Sequence, residues 1–134
     1  MGARTHRELR AWQLADKLRR QILALTSTDP ACRDRKFCDS IRETISSVCR
    51  NLSEGFGRYT HRDFANFVRI ALGSLTEVQD HLDEALERQY VDPPTYEESW
   101  DTSEHAKAST LALLKYLRTT RDETARKLRP PRRT

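Results

Sequence analysis

The sequence predicts an all-α fold, an antiparallel up-down-up-down bundle of four helices. Three observations predict it. Apolar residues recur at steps of three and four along four long segments. Turn formers are scarce, with four glycines and five prolines in 134 residues, and Pro30, Gly55, Gly57, Pro93 and Pro94 mark the joints between those segments. The joints are short, which makes consecutive helices antiparallel neighbours. A chain of this length forms one domain and buries a core without disulfide or metal staples. Its composition, 37% hydrophobic and 33% charged, is lean for long helices and suggests that part of the burial comes from association. The bundle is expected over residues 1–128, followed by a disordered basic tail over 129–134.

The first helix is expected over residues 5–25. Ala11, Leu14, Ala15, Leu18, Ile22 and Leu25 share one face, flanked by Trp12. Asp29 and Pro30 read as an N-cap and first-turn pair. The second helix carries Ile41, Ile45, Val48 and Leu52, with Phe56 one turn on. Gly55 and Gly57 are expected to end it, since either can take the left-handed conformation of a helix C-terminus. Thr60, with Asp63 three residues later, reads as the next N-cap. Over 60–90, Phe64, Val68, Ala71, Leu75, Val78, Leu82 and Ala85 alternate steps of four and three, an a/d stripe suited to shallow helix crossing. Asp92, Pro93 and Pro94 stop that helix and cap the fourth, expected to run to about residue 128 with Tyr96, Leu111, Leu114 and Leu117 on its apolar side. Between Trp100 and Lys107 the pattern thins, predicting a kink or fraying.

Net charge is +4. The five positive residues Arg126, Lys127, Arg129, Arg132 and Arg133 exceed that total, so the body is nearly balanced and the tail is a basic arm that favours polyanions. No apolar run approaches a membrane span and the first residues lack a signal-peptide core, so a cytoplasmic location is expected. Cys32, Cys38 and Cys49 are odd in number and wrongly spaced for zinc or a disulfide framework, and they read as inert thiols. His6, His61, His81 and His105 are scattered. Glu77 and His81 have no matching second pair, and no phosphate-binding glycine loop or zinc-protease motif is present. No metal, cofactor or catalytic residue is assigned.

Polar residues keep helical register beside the core stripes. On the second helix Ser47, Asn51, Glu54 and Arg58 each precede a core position or continue that line, with Gly55 beside them. On the third, Ser74 and Glu77 stand in the same relation to Leu75 and Val78, next to Gly73. A mid-helix glycine costs about 1 kcal/mol relative to alanine and is usually tolerated where another backbone comes close. These seams either bond to each other, line a contact between subunits, touch a ligand, or hold Glu54 and Glu77 as an acid–base pair.

The run Ser47-Val48-x-x-Asn51-Leu52-Ser53-Glu54-Gly55-x-x-Arg58, then Phe64-x-x-Phe67-Val68-x-Ile70-Ala71-x-Gly73-Ser74-x-x-Glu77, resembles the four-helix-bundle proteins first noticed as reading frames inside intervening sequences of bacterial large-subunit ribosomal RNA genes. Leu9-x-x-Trp12-x-x-Ala15 is similar to the start of that family. A more distant likeness is to the accessory variability determinant of diversity-generating retroelements, which works with a reverse transcriptase and nucleic acid. The resemblance implies a homopentameric, barrel-like ring, RNA or DNA binding, and no enzymatic reaction. Two departures stand out: Cys49 replaces a frequent proline, and Glu43-Thr44 replaces a basic, alanine-containing pair.

Two functions follow as expectations. The first is nucleic-acid binding through Arg50, Arg58, Arg62 and Arg69 around the second corner, with Arg118, Arg121, Arg126, Lys127 and Arg129. Such contacts would be mainly to phosphate, and no aromatic platform for stacking on single strands is evident. The second is a scaffold that docks a protein partner, such as a polymerase, on the acid-rich stretches 80–87 and 97–104. An enzyme centred on Glu54 and Glu77 ranks last.

Overall fold

The computed structural model describes residues 2–120. Four helices follow in order: α1 Arg10–Thr26, α2 Arg35–Phe56, α3 His61–Glu87 and α4 Pro93–Thr119. Each packs on two others, α1 on α2 and α4, α3 on α2 and α4. Polar contacts between helices reveal the directions. Arg42 Nε donates to Thr26 Oγ1 at 2.8 Å, Ser47 Oγ lies 3.2 Å from Ser74 Oγ, and Gln79 Nε2 donates to Ser103 Oγ at 2.9 Å. Gln21 Nε2 reaches Glu98 at 3.5 Å. Ser47 and Ser74 meet at mid-helix, while Thr44, early in α2, lies 3.4 Å from His81, late in α3. In the other pairs too a residue late in one helix meets one earlier in its neighbour, so the bundle runs up-down-up-down. None of the described helices is long and apolar enough to cross a membrane.

The core follows the predicted stripes. Leu18, Ile22, Ile41, Ile45, Val48, Leu52, Val68, Leu75, Val78 and Leu82 are fully buried, and each contributes about 1.5–3 kcal/mol relative to exposure. Phe64, Ala71 and Ala85 complete the α3 stripe. α4 is built differently. Its inner face is Ser99, Thr102, Ser103, Ala106, Thr110, Leu114 and Leu117. The buried hydroxyls bond their own helix, Ser103 to Trp100 O at 2.6 Å and Thr110 to Ala106 O at 2.7 Å, which removes most of the cost of burying them. The fraying expected between Trp100 and Lys107 does not occur: α4 is continuous there, with small residues facing α3. Leu111, expected on the apolar side, is 53% exposed.

The ends of the helices correct several expectations. The first helix does not begin at Thr5. His6–Glu8 form a separate 3-10 turn, and Leu9 is extended before α1 starts. A short turn does begin at the Asp29–Pro30 pair, the 3-10 turn Ala31–Arg33, but its N-cap is Pro30 and the Asp29 side chain caps no backbone N–H. The Asp29–Pro30 peptide is cis, and the Asp29 carboxylate accepts from Cys32 Sγ at 2.8 Å. The N-cap of α2 is Asp34, which accepts from Phe37 N at 3.0 Å. At the other end of α2, neither glycine has a positive φ. Gly55 is inside the helix and buried, and Gly57 ends it in the right-handed region with its N–H on Ser53 O and Glu54 O.

The left-handed residue is instead Gln89, with φ of 60°. It closes α3 immediately before Tyr90: Tyr90 N bonds Ala85 O at 2.8 Å and Gln89 N bonds Leu86 O at 3.0 Å, the paired bonds of a Schellman ending. The caps read from Thr60 and Asp92 are present, accepting from Asp63 N at 3.1 Å and Thr95 N at 2.8 Å. Within the described residues α4 ends at Thr119. Its expected continuation to residue 128 and the tail over 129–134 lie outside them.

Candidate functional site

The α2–α3 seam is the first candidate, because both helices present small polar residues along it. Asn51 Nδ2 donates to Ser47 O at 2.8 Å and to Ser47 Oγ at 3.1 Å, leaving the Ser47 hydrogen for Ser74 across the seam. All three side chains are half-buried. This part of the seam is a hydrogen-bonded joint within one chain.

The carboxylates do not belong to it. Taking Ser47 and Ser74 as level, Glu54 lies seven residues toward one end and Glu77 three toward the other. At about 1.5 Å per residue the two are about 15 Å apart along the axis. Both are exposed, and Glu54 pairs with Arg58 at 3.6 Å. No acid–base dyad forms.

Gly73 also departs from expectation. No atom lies within 4 Å of where its Cβ would be, whereas a Cβ on Gly55 would meet Phe64 Cδ1 at 2.7 Å. The close approach occurs at Gly55. Gly73 opens onto an exposed strip of α3 with Glu77 and Ile70, the latter 53% exposed.

One hydroxyl does have a histidine in space. Thr44 Oγ1 lies 3.4 Å from His81 Nε2, and His81 Nδ1 lies 3.9 Å from Glu84. The order imitates a nucleophile, base and orienting acid. The hydrogen is spoken for, however: Thr44 Oγ1 donates to Ser40 O at 2.8 Å. His81 Nε2 must then be the donor to Thr44, so it takes no proton from the hydroxyl. Thr44 is tethered to its own helix.

The cysteines show no activation. Burial, with Asp16 adding to it, pushes the Cys49 thiol up to about 11. The hydrogen bond to Asp29 raises Cys32, and burial raises Cys38. Among the described residues no group of three or more His, Cys, Asp or Glu is placed to hold a metal ion.

The arginines remain. Arg50, Arg58, Arg62, Arg69 and Arg118 are all exposed. Arg58 is the most firmly positioned: its guanidinium stacks 4.7 Å above the Phe67 ring while Glu54 holds one edge. Arg50 bonds Glu43 at 3.2 Å, so the acidic departure on α2 partly neutralises it. Arg69 donates to Asn66 Oδ1 at 2.8 Å. Arg118 stands in the last turn of α4, at the same end of the bundle, because His61 Nδ1 lies 3.1 Å from Thr120 O. Arg50 and Arg58, with Ser53, Glu54 and Gly57, line an open depression of about 520 Å³. Arg121, Arg126, Lys127 and Arg129 fall outside the described residues.

Sequence reasoning missed two features of this end. Tyr59, between Arg58 and Arg62, is 70% exposed, an aromatic signalled only by its place in a connection. Arg4, Arg7 and Arg10 also arrive here, since the start of α1 lies beside the end of α2. Only the bundle topology brings them near.

Among solved structures, a protein of unknown function from the S23 ribosomal protein family of Bacteroides thetaiotaomicron matches with a TM-score of 0.72 at 17% identity, covering 78% of this chain and 95% of that one. At that identity the likeness concerns the fold. No curated protein matches the chain. Neither the solved neighbour nor the matching sequence family carries a named reaction. The family pattern extends over residues 7–125, through all four helices, and the chain accordingly belongs to the 23S rRNA-intervening sequence protein family.

Proposed function

We propose that the protein is a non-enzymatic, cytoplasmic oligomer that binds nucleic acid, RNA or DNA, through the arginine-bearing half of its bundle. The observation that supports this is the uneven placement of charge. The exposed Arg50, Arg58, Arg62, Arg69 and Arg118 all fall in the half containing the α2–α3 corner. Residues 77–104, which form mostly the other half, carry ten acids and a single arginine or lysine, Arg88. A polyanion meets attraction at one end and repulsion at the other.

Contacts would be to phosphate, with little reading of sequence. With four such contacts, affinity for duplex DNA should fall about a hundredfold between 50 and 200 mM salt. The test is filter retention of labelled DNA and RNA duplexes at both salts, with Arg58→Glu/Arg62→Glu as the comparison. Retention that ignores salt, or fails at the lower one, would sink the proposal.

The acid-rich end favours a second reading, a scaffold for a basic protein partner. Capture of a partner that survives nuclease and is lost on reversing Asp80, Asp83 and Glu87 to lysine would support it over the first. For either reading we propose the homopentameric ring that the family resemblance implies, with Ile70, Gly73 and the neighbouring seam facing another copy.

A further inference from the structure

The arginine-bearing end of the bundle holds one side chain that contacts to phosphate leave unexplained. Every other Phe, Trp and Tyr of the chain is buried or half-buried, while Tyr59 is 70% exposed. Among the described residues its ring has no aromatic neighbour and its hydroxyl has no hydrogen-bond partner.

The ring stands on a backbone anchored at both sides. Arg58 N bonds Gly55 O at 3.0 Å, and Phe64 N bonds Thr60 O at 3.1 Å. The Thr60 side chain then caps α3 by accepting from Asp63 N at 3.1 Å. Tyr59 is thus the residue between a helix that has just closed and one that is about to start.

Cations flank it. Arg58 precedes it, with its guanidinium held 4.7 Å above the Phe67 ring. Arg62 follows in the first turn of α3. Among the described residues Arg62 forms no ion pair, nor do Arg10 and Arg118 at the same end, so their charge is not neutralised within the chain. A lipid or protein surface would engage an apolar patch, and none surrounds Tyr59. Leu23, the exposed apolar residue of α1, is at the far end, and Ile70 and Leu111 lie about two turns or more from this one. A single planar ring among phosphate-seeking cations matches a nucleotide, whose base offers a flat π-face beside a charged backbone.

We propose that Tyr59 is a stacking platform for an unpaired base, so that this end of the bundle takes a single strand of RNA or DNA. One base lies flat on the ring and the neighbouring phosphates meet Arg58 and Arg62. The proposal rests on the nucleic-acid reading above and narrows it from polyanions to unpaired strands. Because every base has a π-face, the contact adds affinity without reading sequence. A duplex gains little from it: its bases are covered on both faces, and freeing one costs about what a single stack returns.

The probes are labelled oligoadenylates of about ten nucleotides, a length such sites cover, and an abasic deoxyribose strand of equal length. They are titrated by fluorescence anisotropy against the full chain. Tyr59→Ala, at an exposed position that leaves the core intact, should weaken the base-bearing strand by about tenfold. The abasic strand and a duplex should be indifferent to it. Stacking transfers no charge, so the factor should hold between about 50 and 200 mM salt while both affinities fall. Tyr59→Phe keeps the ring and should bind like the wild type. Ribose and deoxyribose oligoadenylates are run side by side, and a response in either supports the platform and identifies the sugar it accepts. Equal weakening of base-bearing and abasic strands, or no weakening of any strand, overturns the platform and leaves the phosphate reading standing. Wild-type protein that retains neither strand nor duplex at the lower salt overturns both.

Discussion

A methyl group added at Gly55 would lie 2.7 Å from Phe64 Cδ1 and 2.9 Å from Phe67 Cβ, distances that real side chains do not tolerate. Gly55→Ala should therefore destabilise the protein by about 1–3 kcal/mol through overpacking, despite the better helix propensity of alanine. Gly73→Ala meets nothing within 4 Å and should stabilise an isolated chain by up to about 1 kcal/mol. Urea unfolding of the two variants, run side by side, checks both signs. Gln89 offers a third test. It holds a left-handed backbone, with φ of 60°, that costs an L residue roughly 1 kcal/mol and glycine almost nothing. Gln89→Gly should raise the urea midpoint, and a fall would show that the Gln89 side chain contributes more than its backbone strain.

At the scale of the element, the helix caps decide where segments begin. Removing the Thr60 hydroxyl with Thr60→Ala should cost about 1 kcal/mol, measured by the same unfolding curve. The acidic caps add a pH dependence. The Tyr90 hydroxyl, then Phe37 N–H, holds the Asp34 carboxyl below its ordinary range, and Thr95 does the same for Asp92. Each binds its proton less readily folded than unfolded, so its contribution is complete above the unfolded value, near pH 4. It is lost as pH falls through the folded value. Asp34→Asn should flatten the acid limb of melting temperature against pH, and an unchanged limb would remove Asp34 from the explanation. The caps at Thr60 and Asp92 were legible in the sequence because a short polar side chain three residues before a free N–H is a local signal. The core stripes of α1, α2 and α3 were legible for the same reason, since periodicity is local too. The inner face of α4 was not: serine and threonine become core residues only when α3 covers them and their hydroxyls turn to their own carbonyls. Gly55 was misread because sequence reports a glycine's freedom but not the rings packed above it. Glu54 and Glu77 shared a register along their helices, yet antiparallel packing carries them to different levels.

The whole molecule combines a closed core with an unpartnered strip. The apolar stripes of all four helices meet in one cluster inside a single chain, so the lean composition does not leave that core waiting for a second copy. Ring assembly is therefore expected to be separable from folding. The strip that would meet a neighbour is Ile70, Gly73 and Glu77 beside the Ser47–Ser74 joint. Ile70 is a large apolar residue 53% exposed on a helix where other large apolar residues are covered. A buried, unpaired carboxylate in its place would be costly in an interface and harmless in water. Ile70→Glu should thus convert the proposed oligomer to a monomer by light scattering, with helicity retained and unfolding still cooperative. Arginine contacts distributed over several copies would then be lost together. The same variant should bind duplex DNA more weakly than its single added negative charge explains, because avidity multiplies weak sites only while they remain joined. If wild-type protein already sediments as a monomer at micromolar concentration, the strip is an ordinary solvated surface and nucleic-acid affinity must come from one bundle alone.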